Sequence, residues 1–142
     1  MDAGANTSPP FSNTADVPSI DVAAGLLFRD GRLLIAQRHL HSHLGGLWEF
    51  PGGKREPGET FEAALVRELR EELAVSVSVG ALIETVEHAY PEKRVRICFF
   101  KCHLDQGEPR ALDCHDLKWI RRDELNQQPF PAADASLLAR LA

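Results

Sequence analysis

Residues 52–73 read Gly52-Gly53-Lys54-Arg55-Glu56-Pro57-Gly58-Glu59-Thr60-Phe61-Glu62-Ala63-Ala64-Leu65-Val66-Arg67-Glu68-Leu69-Arg70-Glu71-Glu72-Leu73. The second half predicts a helix. Thr60 is a good N-cap, and most residues from Ala63 to Arg70 are strong helix formers. Phe61, Leu65, Leu69 and Leu73 recur every fourth residue, which makes one buried stripe. Glu68, Glu71 and Glu72 stand at i, i+3 and i+4, on one face, and Glu68 and Glu72 border the stripe. Like charges so placed destabilise an isolated helix by roughly 0.2–0.5 kcal/mol per pair. A cation would relieve that repulsion, and an all-oxygen donor set suits Mg²⁺ or Mn²⁺ rather than zinc. The competing reading is an ordinary charged helix surface. The double glycine before the helix weighs against it, because it lets backbone approach groups that a side chain would keep away.

Loop and helix together resemble the signature of the Nudix hydrolases, G-x5-E-x7-R-E-U-x-E-E-x-G-U, where U is a bulky aliphatic residue. Gly53, Glu59, Arg67, Glu68, Leu69, Glu71, Glu72 and Val75 fill it. Ala74 stands where the family has glycine, the residue that ends the helix in a left-handed conformation. Either Ala74 takes a positive φ, at a cost on the order of 1 kcal/mol, or the helix runs on. The resemblance covers about residues 21–141. It implies an α+β fold, an α/β/α sandwich around a mixed sheet. It also implies Mg²⁺, with Mn²⁺ a substitute, held by Glu68, Glu71, Glu72 and the Gly52 carbonyl. Gly53, Glu59 and Arg67 are then structural supports.

The flanks, Leu47-Trp48-Glu49-Phe50-Pro51 and Phe130-Pro131-Ala132-Ala133-Asp134, resemble the MutT-like branch of that family. The resemblance implies hydrolysis of 8-oxo-dGTP to the monophosphate and pyrophosphate. The alternative is hydrolysis of CTP, dCTP or modified cytidine nucleotides, on which close relatives act, or of another nucleoside diphosphate linked to a further group. A non-catalytic reader of oxidised guanine is the alternative from another class, but such domains lack most of the glutamates kept here. Matching positions put Arg38, Glu49, Phe50 and Asp134 at the base. A carboxylate at 134 accepts two hydrogen bonds, which suits the paired N1–H and N2–H of guanine. The competing role for Asp134 is an N-cap of the last helix. In the loop before Trp119, Asp113 stands where relatives carry a glutamate, with Asp116 as fallback; either Asp113 or Glu68 is the general base. Lys93 and Arg94 lie in a turn where relatives carry a basic residue near the phosphates or base, but the pair reads rather as a solvated hairpin tip. His39, His41 and His43 lie in a loop and lack the cysteines of a zinc set, so phosphate contact or exposure is expected of them.

The whole chain bounds these readings. Its 142 residues fit one domain with an adequate core. A net charge of −5 without a basic patch argues against a nucleic-acid polymer as partner. No apolar run suggests a membrane span or secretory signal, so a cytoplasmic monomer acting on a small nucleotide is expected. Three cysteines, Cys98, Cys102 and Cys114, suggest reduced thiols. Residues 1–19, rich in Asn, Ser, Thr, Ala and Pro, read as a disordered leader, and 20–142 as the domain. Strands are expected over Val22–Phe28 and Leu33–Arg38 around an Asp30-Gly31 turn, at Leu47–Phe50, Val75–Val79, Leu82–Ala89, Val95–His103 and Leu117–Ile120. A short helix is expected to start at Asp123 and a final one to cover about Ala133–Leu141.

Overall fold

The computed structural model describes residues 17–141. In chain order these form β1 (Ser19–Arg29), β2 (Arg32–Gln37), β3 (Trp48–Glu49), β4 (Gly52–Lys54), α1 (Phe61–Leu73), β5 (Ser76–Ala89), β6 (Arg94–Gln106) and β7 (Asp116–Arg121). Two 3₁₀ turns, Arg122–Gln127 and Ala132–Asp134, lead into α2 (Ala135–Leu141). The expected leader lies mostly outside the described residues. Its last residues are not loose: the Pro18 carbonyl accepts a bond from the Arg94 amide, and Ser19 opens β1 by pairing with Arg94.

The mixed sheet follows from the placement of β1. Asp30 and Gly31 take φ of 53° and 75°, so a two-residue turn folds β2 back antiparallel, Phe28 opposite Leu33. The other edge of β1 pairs in parallel with β6, from Ser19–Arg94 to Leu27–Cys102. The early part of β1 also carries β4, with Ala24 opposite Gly52 and Ala23 opposite Gly53. β7 and β3 extend the sheet from β2, and β5 lies outside β6. The break expected between Val79 and Leu82 does not interrupt β5; register shifts there, around Gly80, bend one long strand instead.

Alternation along β1 divides the core in two. Ala23 and Leu27 face the α1 side, where Ala64, Leu65, Leu69 and Leu73 are buried against them. Ala24 and Leu26 face the other side, with Phe50, Phe99, Leu125, Leu137 and Leu141. Each fully buried leucine contributes about 1.5–3 kcal/mol. The result is the expected sandwich of helices on both faces of a mixed sheet. Cys98, Cys102 and Cys114 are free thiols. Among the described residues no helix is long and apolar enough to cross a membrane.

Candidate active site

α1 begins where the sequence says it should. Thr60 Oγ1 accepts from the Ala63 amide at 3.0 Å. It ends at Ala74, whose φ of 61° is left-handed, so the helix does not run on. The glycine loop meets this helix closely. A Cβ on Gly52 would enter the Ala23 carbonyl oxygen, and one on Gly53 would fall on the Glu68 carboxyl group. Two glycines therefore serve two contacts, one with the sheet and one with the helix.

Arg67 holds the arrangement together. It donates from Nε and NH2 to the two carboxylate oxygens of Glu59 at 2.7 and 3.0 Å. It also donates to the Lys54 carbonyl at 3.0 Å, to Glu68 at 3.0 Å and to Glu71 at 3.3 Å. These bonds from Arg67, with one from the Glu56 amide, bring the Glu59 carboxyl down to about 2. Glu59 and Arg67 thus join loop to helix.

Glu68 is only 15% exposed in its side chain, whereas Glu71 is 61% exposed. Glu72 is pushed up to about 9, first by burial, then by its hydrogen bond with Glu68 and the charges of Glu68, Glu49 and Asp113. Glu72, held toward its neutral form beside Glu68, makes with it a site a cation can fill. The donors are hard oxygens of the kind that hold Mg²⁺. Among the described residues no three acidic, thiol or imidazole groups already surround one point. Glu71 is turned toward Arg67 instead. The residues fit a divalent cation in donor chemistry and charge, with Arg67 keeping part of the set apart.

These glutamates line a cleft of about 730 Å³. Gly52, Gly53, Lys54, Arg38, Glu49, Asp113 and Asp134 also line it. Asp134 is 4% exposed, and burial, then the Glu49 charge, raises its carboxyl to about 7. Its backbone closes a 3₁₀ turn onto Pro131. Among the described residues nothing donates to its carboxylate, so it does not cap α2, and the cap reading gives way to a cavity-facing one. Arg38 is tied rather than free: Nε donates to the His43 carbonyl at 2.7 Å and NH1 to Glu49 at 2.9 Å. Glu49 is raised by burial in spite of Arg38.

Phe50 departs from expectation. It is 3% exposed, packed edge-to-face with Phe99 and tilted against Phe130 in the second core layer, and absent from the cleft wall. Leading directly into the glycine loop, it faces inward to anchor that loop. Phe99 and Tyr90 line the cleft instead. Lys93, in the turn just before β6, is not at a solvated tip but on the cleft wall, and Arg94, which opens β6, is 8% exposed. Asp116 turns back to the Leu117 amide at 2.8 Å and leaves Asp113 as the acidic residue of that loop on the wall. Of the histidines, His41 is exposed, His43 meets Tyr90 edge-on at 5.1 Å, and His39 binds Asp113. Phe99 was legible only as a strand residue; two-sided burial of β6 hides which side of it meets a ligand.

The NUDIX domain family matches residues 23–140. An 8-oxo-dGTP diphosphatase of Proteus vulgaris is 45% identical over 86 residues, 60% of this chain and 77% of that protein. A CTP pyrophosphohydrolase of Escherichia coli K12 is 38% identical over 119 residues, 84% of this chain and 88% of that protein. Among solved structures, a MutT NUDIX hydrolase from Burkholderia pseudomallei superposes with a TM-score of 0.79 at 28% identity, covering 87% of this chain and 98% of that one.

Proposed function

Since the chain belongs to the Nudix family and is a hydrolase of phosphoric anhydrides, we propose that it is a Mg²⁺-dependent nucleoside triphosphate pyrophosphohydrolase whose substrate is 8-oxo-dGTP. The products are 8-oxo-dGMP and pyrophosphate, and the setting is a monomer in the cytoplasm that sanitises the nucleotide pool. One observation carries this reading. A single cleft is lined both by the carboxylates of α1 and by a buried Asp134 to whose carboxyl no side chain among the described residues donates.

Glu68, Glu72 and Glu71, with the Gly52 carbonyl, would hold the cation. The cation supplies neutralisation of the polyphosphate and acidification of water. The chain's own groups do the rest. Water attacks the β phosphorus, its proton passes to Asp113 or to Glu68, and the bond from β phosphorus to the α-phosphate oxygen breaks. Arg67 and Glu59 keep Glu68 in place without touching substrate. Asp134 accepts from the base edge, and Glu49, held by Arg38, stands beside it.

The second reading, CTP or dCTP hydrolysis, is favoured by the identity to the Escherichia coli CTP enzyme over most of both chains. Pyrophosphate release from 8-oxo-dGTP, dGTP, dCTP and 5-substituted cytidine triphosphates at one Mg²⁺ concentration separates the two. A higher kcat/KM for 8-oxo-dGTP supports the first, a higher value for a cytidine nucleotide supports the second, and no turnover of any of them sinks both.

A further inference from the structure

Asp113 lies in the loop between β6 and β7, and the backbone of that loop is fixed from below. The Leu112 amide donates to the Glu72 carbonyl at 3.1 Å and the Arg110 amide to the Leu73 carbonyl at 2.9 Å. The loop is therefore pinned to the last turn of the helix that carries the glutamates. Its far end is pinned to the sheet, where the His115 amide donates to the Gln37 carbonyl at 2.8 Å. With the backbone held at both sides, the freedom left to Asp113 is the torsion of its own short side chain. Three staggered χ1 positions are then open to it.

One side chain chooses among them. His39 Nε2 lies 3.0 Å from Asp113 Oδ1, and no other side chain among the described residues bonds that carboxylate. His39 is itself held, since its carbonyl accepts from the Ser42 amide at 3.1 Å and from Ser42 Oγ at 2.8 Å. Both residues line the catalytic cleft. With Oδ1 engaged, Oδ2 is left without a hydrogen bond.

We propose that His39 is a positioning residue for hydrolysis: it fixes the Asp113 side chain so that Oδ2 faces the water to be deprotonated. The proposal rests on the reading of Asp113 as the base. The pair is exposed, 55% and 68% in the two side chains, so its hold is modest. Spreading the side chain over three positions instead of one lowers kcat by about two- to threefold, not by orders of magnitude.

The test is a set of four variants assayed for pyrophosphate release from 8-oxo-dGTP and dCTP with Mg²⁺. His39→Ala should lower kcat about two- to threefold while KM and melting temperature stay unchanged. His39→Gln, whose amide nitrogen reaches the same oxygen, should recover at least half of that loss. In an Asp113→Asn background, His39→Ala should add nothing. If Asp113→Asn lowers kcat but His39→Ala does not, the positioning role is overturned and the base reading stands. A His39→Ala loss that is undiminished in the Asp113→Asn background, or that appears in KM alone, also overturns it. If Asp113→Asn leaves kcat unchanged, the base reading fails and the inference falls with it.

Discussion

Replacing either glycine of the loop by alanine should give opposite phenotypes, although both changes add a single methyl. At Gly53 the backbone φ is not left-handed, so alanine carries no torsional penalty there. The three atoms nearest the added Cβ all belong to the carboxyl end and Cγ of Glu68, a flexible side chain. Glu68 must swing aside and leave its 3.0 Å bond from Arg67 and its contact with Glu72. Overpacking of this kind costs about 1–3 kcal/mol, and yielding by the side chain keeps it near the lower end. A melting-point loss of roughly 3–8 °C follows for a domain of this size. A displacement of about 1 Å in a catalytic group costs on the order of 100-fold in rate. Gly53→Ala should therefore fold, with kcat down about 100-fold. At Gly52 the obstacle is backbone, the Ala23 carbonyl and the Ala24 Cα, inside the β1–β4 pairing. Nothing there can rotate away, so Gly52→Ala should lose ~3 kcal/mol or more and express poorly. Differential scanning calorimetry and pyrophosphate release on both variants decide it. A Gly53→Ala enzyme within threefold of the parent in kcat, or one as unstable as Gly52→Ala, would refute the account of how the loop meets the helix.

Other substitutions should separate stability from activity in different ways. Glu68→Gln, Glu71→Gln and Glu72→Gln should each cut turnover sharply and leave the circular dichroism spectrum unchanged; near-parental kcat in all three at saturating Mg²⁺ would remove the metal reading. Ala74→Gly should stabilise slightly, by ~0.5 kcal/mol, because relief of the left-handed strain exceeds the entropy of a freer unfolded chain; a clear drop in melting temperature speaks against it. Without metal, stability should fall as pH rises. Asp134 and Glu72 have folded values raised to about 7 and about 9, so the native state holds protons that the unfolded state has released, and this contribution is lost as pH passes those values. Thermal melts from pH 5 to 9 check it, and Mg²⁺ should flatten the upper part of the curve. Asp134→Asn should lower kcat/KM for guanine nucleotides about tenfold to hundredfold, as loss of a charge-assisted bond implies, yet raise the melting temperature above pH 7; equal small losses on every base with a lower melting temperature would restore the cap role.

What the sequence disclosed and what it hid divide along a physical line. The helix, its cap, the hairpin at Asp30-Gly31 and the cation-fitting face were legible because period, capping chemistry and turn chemistry are local. The ambiguity at Ala74 had a local resolution too, and the chain takes the strained option because Val75 and the next strand must start there. The errors concern which side of a doubly buried strand meets the cleft. Phe50 and Phe99 are both apolar, both in or beside central strands, and both buried. Nothing in a run of apolar residues says which one borders a cavity, since that depends on the gap between β1, β6 and the α2 side of the sheet. Lys93 was misplaced for a related reason: a basic residue in a turn reads as solvent-exposed until the turn is folded over a cleft. The His39–Asp113 contact joins residues 74 apart in sequence and had no local signal at all.

The carboxyl pairs of the cleft pose one electrostatic problem with two solutions. Glu72 beside Glu68, and Asp134 beside Glu49, are pushed toward the neutral form first by burial and then by neighbouring charge. Arg67 and Arg38 are each committed to a member of their pair and do not discharge the other. A buried carboxylate without donors costs several kcal/mol, so a fold retains two such pairs only where something else completes them. A cation suits the first pair, because the facing oxygens include a helix row and lie against a glycine loop. At the second pair, Phe99 and Tyr90 on the cleft wall favour a flat, uncharged ring carrying N–H donors. A nucleoside triphosphate bearing Mg²⁺ has both features, charge at one end and base donors at the other. On the proposed reading these two carboxyl pairs match the two ends of such a substrate, and Asp134 would set selectivity among bases by how many N–H groups the base edge can offer it.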